Sequence, residues 1–580
     1  MLATTEKRLG EVLVESGVIS PLEMDEALQR QRLTGEMLGR VLVKMGLCEE
    51  QDIVEALGIQ AGMERVDVTK LQIPDEVLRK VPADVAQFYS IVPVRMREGV
   101  LTVAMADPLN ISHLDDLRRI LGCEVQGAVA NQHDLAKFIA TNYSQETDSI
   151  QETLSALIER VGDSPLTLEE LGATELISDV ENLIELAQEP EVIKIVNLVL
   201  LEAVQKRASD IHFEVFEQDF RIRIRIDGVL HEIVTPPRAF ALALVSRVKV
   251  MSSMDIAERR LPQDARIDLK VGDAEIDIRV ATLPTLWGEN VVMRILDRSA
   301  VRLDLPKLGL PPGTLHRIEN IIRQPNGIFL VTGPTGSGKT TTLYACINVL
   351  NEEGVKIITT EDPVELHIDG IIQINVREEV GLTFANCLRS ILRQDPDIVM
   401  VGEIRDLETA EIAVQASLTG HIVLSTLHTN SAPETITRLL DMDLEPFLIT
   451  SSLEAVLAQR LVRTLCRHCR ESYHPDEEEM ELLGLPDAWR KDPNLRFWRP
   501  KGCPACDYIG YMGRVGLFEL LEVTEPICDM ILSRTQAHEI RRYARKHEGM
   551  RTLREEGLIK CLQGITSTEE VLIHTDKYDD

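Results

Sequence analysis

The N-terminal part of the chain carries apolar residues at helical spacing, in a pattern that occurs twice. The segment from Arg8 to Gln31 returns from Met37 to Gln60, 29 residues further along. In each copy, apolar residues at i, i+3 and i+4 predict a helix, a glycine turn and a second helix. Identical pairs include Gly10 and Gly39, Leu13 and Leu42, and Gly17 and Gly46. We expect a helical repeat domain over residues 1–62.

The next three segments differ in strand content and charge. Short apolar runs among helical stretches predict a small α/β subdomain over residues 63–145. Residues 146–191 hold thirteen acidic residues against one basic residue, Arg160, so we expect an acidic linker. Residues 192–304 have the pattern of an α+β domain. Its clearest strand begins at Phe220, where apolar residues alternate with arginines before an Asp-Gly turn.

From residue 305 onward, apolar strands alternate with helical stretches. This pattern is typical of a parallel sheet covered by helices on both faces. The expected fold class is therefore multidomain α/β. Its expected parts are an α/β core over 305–460, a cysteine-rich insertion over 461–520 and a helical domain over 521–580.

Composition restricts the functional classes. The 580 residues include 62 lysines and arginines against 94 acidic residues, and the net charge of −32 disfavours nucleic acid as a partner. No run of about 18 apolar residues occurs, and charges occupy the N-terminus where a signal peptide needs an apolar run. We expect a cytoplasmic protein whose ten cysteines are free thiols or metal ligands.

The segment GPTGSGKT has the spacing of a phosphate-binding loop. It follows a β-rich run and precedes a helical one, where backbone N–H groups and a helix N-terminus face phosphates. We expect Lys339 to reach the β- and γ-phosphates of ATP and the Thr340 hydroxyl to bind Mg²⁺. A glycine turn before a core helix is the alternative. The expected nucleotide-binding residues are Gly333, Pro334, Thr335, Gly336, Ser337, Gly338, Lys339, Thr340 and Thr341.

Three predicted strands end in side chains that suit hydrolysis. Glu361 and Asp362 follow one apolar run, Glu403 follows a second and His428 a third. The carboxyl ends of parallel strands form the ligand-binding edge of an α/β sheet. These residues are therefore candidates for binding magnesium and positioning water. Solvated loop carboxylates and a structural histidine are the plainer interpretations.

Four cysteines form two CxxC pairs. Cys466 and Cys469 precede Cys503 and Cys506 by a spacer of 33 residues. Four thiolates complete a tetrahedral zinc shell and leave no open position for catalysis, so we predict a structural zinc site. Four free thiols or a redox pair are the alternatives.

The motifs GPTGSGKT, TTEDPVE, LRQDPDIVMVGEIRDLETA and STLHTN, in this order, resemble those of the secretion and pilus-assembly ATPases. That family includes type II secretion ATPases and type IV pilus extension motors. The resemblance implies a RecA-like P-loop ATPase core over 305–460 and a homo-hexamer. It also implies that ATP and Mg²⁺ are held between the preceding α+β domain and this core, with Zn²⁺ in the insertion.

The resemblance also assigns roles to the strand-end residues. It implies that Glu403 is the catalytic carboxylate and that Glu361 and Asp362 serve magnesium and water. It places His428 in a segment that senses the γ-phosphate.

Several arginines match the family as well. Arg279 and Arg294 match arginines that reach the nucleotide from the preceding domain, while Arg389 and Arg393 match arginines of the core. An arginine on an amphipathic strand is otherwise usually a solvated residue. Ala265 stands where the family usually has glycine, a change that concerns only a local turn.

The N-terminal repeat resembles the cyclic-di-GMP-binding domain of some family members, over Arg8–Gln31 and Met37–Gln60. The first copy fits that pattern throughout, whereas the second has Met37 in place of an arginine and also departs at Cys48. The missing guanidinium would remove a bidentate contact to a guanine edge or a phosphate. A pair of packed helical hairpins, which needs no ligand, is the plainer interpretation.

These features predict a hexameric cytoplasmic motor that couples ATP hydrolysis to pseudopilus assembly and protein export through a type II secretion system. The expected partners are an inner-membrane platform protein and the cytoplasmic domain of a membrane-anchored recruiting protein. One alternative is a type IV pilus extension motor, and another is an ATP-binding, cyclic-di-GMP-responsive scaffold with little turnover. The acidic charge disfavours a third, a DNA-translocating motor.

Overall fold

The chain divides into two compact units, residues 1–300 and 301–580. Most of the predicted acidic linker, residues 146–191, lies outside the part that the computed structural model describes. Among the described helices, none combines the length and hydropathy needed to span a bilayer. The described residues are 8–34, 38–60, 63–106, 111–143, 150, 153–154, 187–271, 274–297 and 304–576.

The N-terminal repeat folds into four helices. They are α1 (Leu9–Glu15), α2 (Pro21–Thr34), α3 (Leu38–Lys44) and α4 (Glu50–Gln60). α1 packs against α4, and α2 packs against α3. The two contacts are equivalent, because the repeat maps α1 onto α3 and α2 onto α4. A Cβ on Gly10 would lie 2.9 Å from Met24 Sδ, and one on Gly39 would lie 3.2 Å from Ile53 Cγ2, the equivalent contact. The glycines therefore permit close helix packing. Met37, where the repeat departs from the cyclic-di-GMP pattern, lies outside the described residues.

Residues 63–143 form a small α/β subdomain. Its sheet has the order β1–β2–β3, with β1 antiparallel to β2 and β2 parallel to β3. The strands are β1 (Val92–Arg97), β2 (Val100–Met105) and β3 (Glu124–Val129). The helices are α5 (Asp75–Leu78), α6 (Ala83–Tyr89), α7 (Ile111–Leu121) and α8 (Gln132–Asn142).

The rest of the first unit is an antiparallel six-stranded sheet with two helices. The strand order is β6–β5–β4–β9–β8–β7. The predicted strand from Phe220 is confirmed, because Phe220, Ile222 and Ile224 are buried while the arginines between them are partly exposed. The strands are β4 (Asp210–Val215), β5 (Phe220–Ile226), β6 (Val229–Val234), β7 (Gln263–Val271), β8 (Ala274–Thr285) and β9 (Gly288–Asp297). The helices are α9 (Pro190–Gln205) and α10 (Ala241–Met251).

The α/β subdomain and the six-stranded sheet share one hydrophobic core, which includes residues of α7, α9 and β4. Hydrogen bonds accompany the apolar contacts. Tyr89 Oη donates to Asp116 Oδ2 at 3.1 Å, and Asn197 Nδ2 donates to Tyr89 Oη at 2.9 Å. Arg247 Nη2 donates to the same Asp116 oxygen at 2.6 Å. Helices α6 and α7 are thus fastened to α9 and α10.

The second unit is built on a seven-stranded sheet of order β12–β11–β13–β14–β10–β15–β18, parallel except for the edge strand β18. Ile328 and Leu330 of β10 pack into one core, and Phe329 and Val331 pack into another on the opposite face. Such burial on both faces explains the continuous apolar runs of these strands. The strands are β10 (Gly327–Thr332), β11 (Ile357–Glu361), β12 (Ile372–Asn375), β13 (Ile398–Val401), β14 (Ile422–Leu427), β15 (Leu453–Leu465) and β18 (Tyr511–Glu522). The predicted RecA-like core is confirmed.

Helices cover both faces of this sheet. Those of the core are α11 (Pro312–Ile321), α12 (Lys339–Leu350), α13 (Phe384–Ile391), α14 (Leu407–Leu418), α15 (Ala432–Asp441) and α16 (Pro446–Thr450). The cysteine-rich insertion contributes β16 (Glu471–Tyr473), α17 (Glu477–Leu482), α18 (Asp487–Arg490) and β17 (Phe497–Arg499). The C-terminal helices are α19 (Glu525–Leu532), α20 (Ala537–His547), α21 (Leu553–Leu562) and α22 (Thr568–His574). The insertion leaves and rejoins the sheet through β15 and β18, so its two ends are strands of the core.

Candidate functional site

The predicted phosphate-binding loop connects β10 to α12. Gly333, Gly336 and Gly338 have φ values of 150°, 79° and 88°, which residues with a Cβ rarely adopt. Lys339 Nζ donates to the main-chain oxygens of Gly333 at 2.9 Å and Pro334 at 3.1 Å. The loop therefore curls around the lysine ammonium, with α12 starting directly behind it.

Two residues that the sequence analysis missed lie against this loop, on β15. A Cβ on Gly333 would lie 2.5 Å from Gln459 O and 3.2 Å from Arg460 Nη1. Gln459 Oε1 accepts a hydrogen bond from Thr342 Oγ1 of α12 at 2.7 Å. Gly333 is thus required for close approach of the backbone as well as for its φ. Nothing in the local spacing of the sequence indicates that Gln459 and Arg460 lie against the loop.

Glu403 and His428 come together at the carboxyl edge of the sheet, as the strand-end argument predicts. His428 Nε2 lies 3.0 Å from Glu403 Oε2, and the Glu403 side chain is only 15% exposed. Arg405 also pairs with Glu403, and its Nη2 lies 3.8 Å from Asp362 Oδ2. The sequence analysis did not single out Arg405. Its position in the GEIRD segment, two residues after Glu403, is the feature that could have identified it.

Electrostatics connect this pair to the loop. Burial lowers the pKa of Lys339, the Glu403 carboxylate acts against that shift, and the charge of Arg460 adds to it. Glu403 and Arg460 are therefore both within electrostatic range of Lys339. A phosphate chain bound at Lys339 would be near these two charges as well.

Glu361 is oriented differently from the other strand-end residues. It is the last residue of β11 and is 3% exposed. Its carboxylate accepts hydrogen bonds from Tyr344 Oη, from Thr359 Oγ1 at 2.6 Å and from Gln373 Nε2 at 3.2 Å. Burial, followed by the charge of Glu361, raises the pKa of Tyr344. Asp362 is 41% exposed, so of these two acidic residues it is the one open to a ligand.

Two of the predicted arginines belong to the first unit and two to the second. Arg279 and Arg294 face each other across β8 and β9 of the first unit, and Arg294 Nε lies 3.1 Å from Asp210 Oδ1. In the second unit, Arg389 Nη2 donates to Glu408 Oε1 at 2.5 Å. Arg393 Nη1 donates to the main-chain oxygen of residue 389 at 3.0 Å.

The four CxxC cysteines converge as predicted. Their Sγ atoms all lie within 4.8 Å of one another, and Cys466–Cys503, Cys469–Cys506 and Cys503–Cys506 are 3.9, 3.8 and 3.8 Å apart. Sulfurs about 2.3 Å from a tetrahedral zinc would be about 3.8 Å apart. Burial alone would raise the pKa of Cys506, but hydrogen bonds from Cys503 N and Gly510 N lower it to about 7. The distances and the set of four thiol ligands fit zinc.

Residues 185–573 match the family model described as Type II/IV secretion system protein, and residues 61–149 match the MshEN domain. The chain belongs to the Type II/IV secretion system protein family. The Type IV pilus assembly ATPase PilB of Myxococcus xanthus (strain DK1622) is 43% identical over 98% of this chain and 99% of that protein. Type II secretion system protein E of Xanthomonas campestris pv. campestris is 43% identical over 99% of both chains. The predicted family of secretion and pilus motor ATPases is confirmed.

The Legionella pneumophila ATPase DotB is a similar solved structure. It is 23% identical, covers 65% of this chain and 94% of its own, and has a TM-score of 0.49. The MshEN match covers the small α/β subdomain and begins where the helical repeat ends. The segments for which we predict cyclic-di-GMP binding, Arg8–Gln31 and Met37–Gln60, therefore precede the matched residues.

Proposed function

We propose that this family member hydrolyses ATP at the carboxyl edge of its seven-stranded sheet. The observation that carries the proposal is the Glu403–His428 pair, within electrostatic range of Lys339 in the phosphate-binding loop. Glu403 would orient and deprotonate the attacking water, and His428 would hold the carboxylate in place. Within the described residues, the buried Ser337 hydroxyl has no hydrogen-bond partner. A phosphate oxygen in the loop would supply the missing acceptor, which supports phosphate binding.

Magnesium fits the oxygen donors at this edge. Thr340, the second residue of α12, is exposed, and Asp362 presents an exposed carboxylate. Hydroxyl, carboxylate and phosphate oxygens are the ligands that Mg²⁺ prefers. When bound, the ion would neutralise charge on the phosphates. Arg279 and Arg294 are proposed to add positive charge at the nucleotide in an assembled hexamer, as the family resemblance implies.

The test of the hydrolytic role is Glu403→Gln. We expect this variant to bind ATP with unchanged affinity while its turnover falls by about 10²–10⁴-fold, the range for proton-transfer groups. Glu408→Gln is the matched control, because that carboxylate lies on α14 and pairs with Arg389 at the surface. Wild-type turnover in Glu403→Gln would remove Glu403 from the catalytic role. A wild-type protein that binds ATP without turnover would favour the scaffold alternative.

For the biological role, we propose a hexameric motor for pseudopilus assembly in a type II secretion system, working at the cytoplasmic face of the inner membrane. It would act on a platform protein and be recruited by a membrane-anchored partner. One pilus relative and one secretion relative are each 43% identical to this chain over nearly its whole length. Deletion of the gene separates the two systems. Loss of secreted enzymes with intact surface pili supports secretion, and loss of pili alone supports the pilus motor.

We also propose that the N-terminal repeat binds cyclic-di-GMP. The proposal rests on the resemblance of Arg8–Gln31 to cyclic-di-GMP-binding domains, because the MshEN match begins only at residue 61. Calorimetric titration of the full chain with cyclic-di-GMP tests it, with Arg8→Ala as the comparison variant. The absence of a binding heat would leave the repeat with its packing role alone.

A further inference from the structure

β15 extends beyond the strand that carries the phosphate-binding loop. Thr332, the last residue of β10, pairs with Ala458, and β15 continues to Leu465. The next two residues, Gln459 and Arg460, therefore lie beside the loop itself. Because side chains alternate along a strand, they point to opposite faces of the sheet.

Arg460 connects the loop to the segment that follows His428. Its Nη2 donates to Asn430 O at 2.9 Å and to Asn430 Oδ1 at 3.2 Å, and its Nη1 donates to Gln459 O at 3.1 Å. The same Nη1 would lie 3.2 Å from a Cβ at Gly333. One planar guanidinium thus touches the main chain after His428 and borders the first glycine of the loop.

The charge of Arg460 also affects the neighbouring Lys339. The residue is only 8% exposed, and its charge acts on Lys339. Two largely buried cations therefore lie close together next to the predicted phosphate site. A buried positive charge is stabilised by a nearby negative charge and destabilised by another positive one. The triphosphate of ATP would supply more of that negative charge than the diphosphate of ADP.

We propose that Arg460 is a positioning residue that makes the site respond to the terminal phosphate. Its guanidinium holds the His428–Asn430 segment against the phosphate-binding loop and adds a fixed positive charge on the γ-phosphate side. Binding of ATP is favoured over ADP, and the Glu403–His428 pair is aligned with the loop. The inference rests on the proposed ATP hydrolysis and names a further residue for that site.

A second contact, independent of Arg460, holds the segment after His428. Thr429 N donates to Thr332 Oγ1 at 2.9 Å, and the two threonine hydroxyls lie 2.6 Å apart. These bonds join the segment after His428 to the end of β10. We therefore expect Arg460 variants to fold, and the experiment includes a charge-conserving variant in addition.

The test compares Arg460→Gln and Arg460→Lys with the full-length wild-type protein. Affinities for fluorescent ATP and ADP analogues in the presence of Mg²⁺ are measured by equilibrium titration, and kcat and KM by phosphate release. We expect Arg460→Gln to reduce the preference for ATP over ADP by roughly 10- to 100-fold, because it removes a nearby unit charge that acts on the additional charge of the triphosphate. Arg460→Lys should keep most of that preference but lower kcat, since a single ammonium lacks the planar fork that joins Gln459 O to Asn430 O.

Arg463→Gln is the matched control, because Arg463 lies on the same strand and its half-buried guanidinium pairs with Glu570. It should lower thermal stability without changing the ATP-to-ADP preference. An unchanged preference in Arg460→Gln would overturn the inference, as would wild-type kcat in Arg460→Lys. Should Arg460→Gln not fold, loss of the preference in Arg460→Lys overturns it as well. Turnover of the wild type and of Glu403→Gln tests the proposed hydrolysis separately.

Discussion

Replacing Glu519 with glutamine should flatten the pH dependence of the stability of the second unit. Glu519 lies on β18 and has no exposed surface. Its carboxylate accepts hydrogen bonds from Ala432 N at 2.8 Å and Leu553 N at 3.4 Å, the first residues of α15 and α21. Two helix N-termini therefore share one buried acid, and helix dipoles favour the charged form there.

Burial dominates the ionisation of this group. It raises the pKa of Glu519 from 4.5 to about 7, against the lowering effect of the Ala432 N–H and the charge of Arg541, while the charge of Glu434 adds to the rise. A difference of about 2.5 pKa units between folded and unfolded states corresponds to about 3 kcal/mol, at about 1.4 kcal/mol per unit.

The direction follows from which state holds the proton. Between about pH 4.5 and 7, the folded protein binds this proton more tightly than the unfolded chain, so stability falls as the pH rises. Above about pH 7 the full cost of the buried charge is present. Glutamine keeps one acceptor oxygen and carries no charge, so it removes this slope.

Denaturant unfolding at about pH 5, 6, 7 and 8, followed by the fluorescence of Trp489 and Trp498 in the second unit, measures the effect. The difference between variant and wild type cancels other titrations that the two share. The offset at pH 5 reports the lost hydrogen bond, and the further change up to pH 8 reports the charge. Parallel stability curves for wild type and Glu519→Gln would refute the reasoning.

Three further predictions concern the loop, the metal and the arginines. Gly333→Ala should abolish ATP binding in an equilibrium titration, because its Cβ would lie 2.5 Å from Gln459 O. Gly336→Ala should have a smaller effect, because a Cβ on Gly336 would have no neighbouring atom within 4 Å. Cys503→Ser should lower zinc content by elemental analysis and the thermal midpoint together, since metal binding contributes folding energy; a zinc-free parent protein would contradict this. Arg294→Ala should abolish turnover with ATP affinity preserved, and arginines that complete such sites are worth about 10³–10⁵ in rate; full activity would leave Arg294 only its ion pair with Asp210.

Local sequence patterns predicted most of the architecture. They did not predict the direction in which a strand-end side chain points. Strand ends located Glu403 and His428 because both follow a complete apolar run. The same argument treated Glu361 as a residue beyond its strand, yet Glu361 pairs with Asn375 inside the sheet and points into the interior. Whether a residue is the last of a strand or the first beyond it depends on the neighbouring strand, which a local pattern does not contain.

The missed residue Arg460 illustrates a different limit. It is more than a hundred residues from the loop in sequence, and its position follows from the register of β15 against β10. The register of β15 against β10 is fixed by the packing of the folded sheet. From the sequence alone, the arginine in AQRLVR therefore resembles an ordinary residue on the solvated side of an amphipathic strand. The cysteine pairs were predictable despite their long spacer, because each CxxC is itself a local signal for a metal ligand pair.

β15 connects the phosphate-binding loop to the tetracysteine cluster. The strand reaches from the neighbourhood of Gly333 to Leu465, and Cys466 follows at once, its N donating to Gly510 O at 3.0 Å. Cys466 lies six steps along the extended chain from Arg460, a span of about 20 Å. The pairing with β18 continues to Leu465 and Tyr511, with one register shift between Arg463 and Leu465. The tetracysteine cluster and the wall of the phosphate loop therefore lie at the two ends of one continuous strand segment.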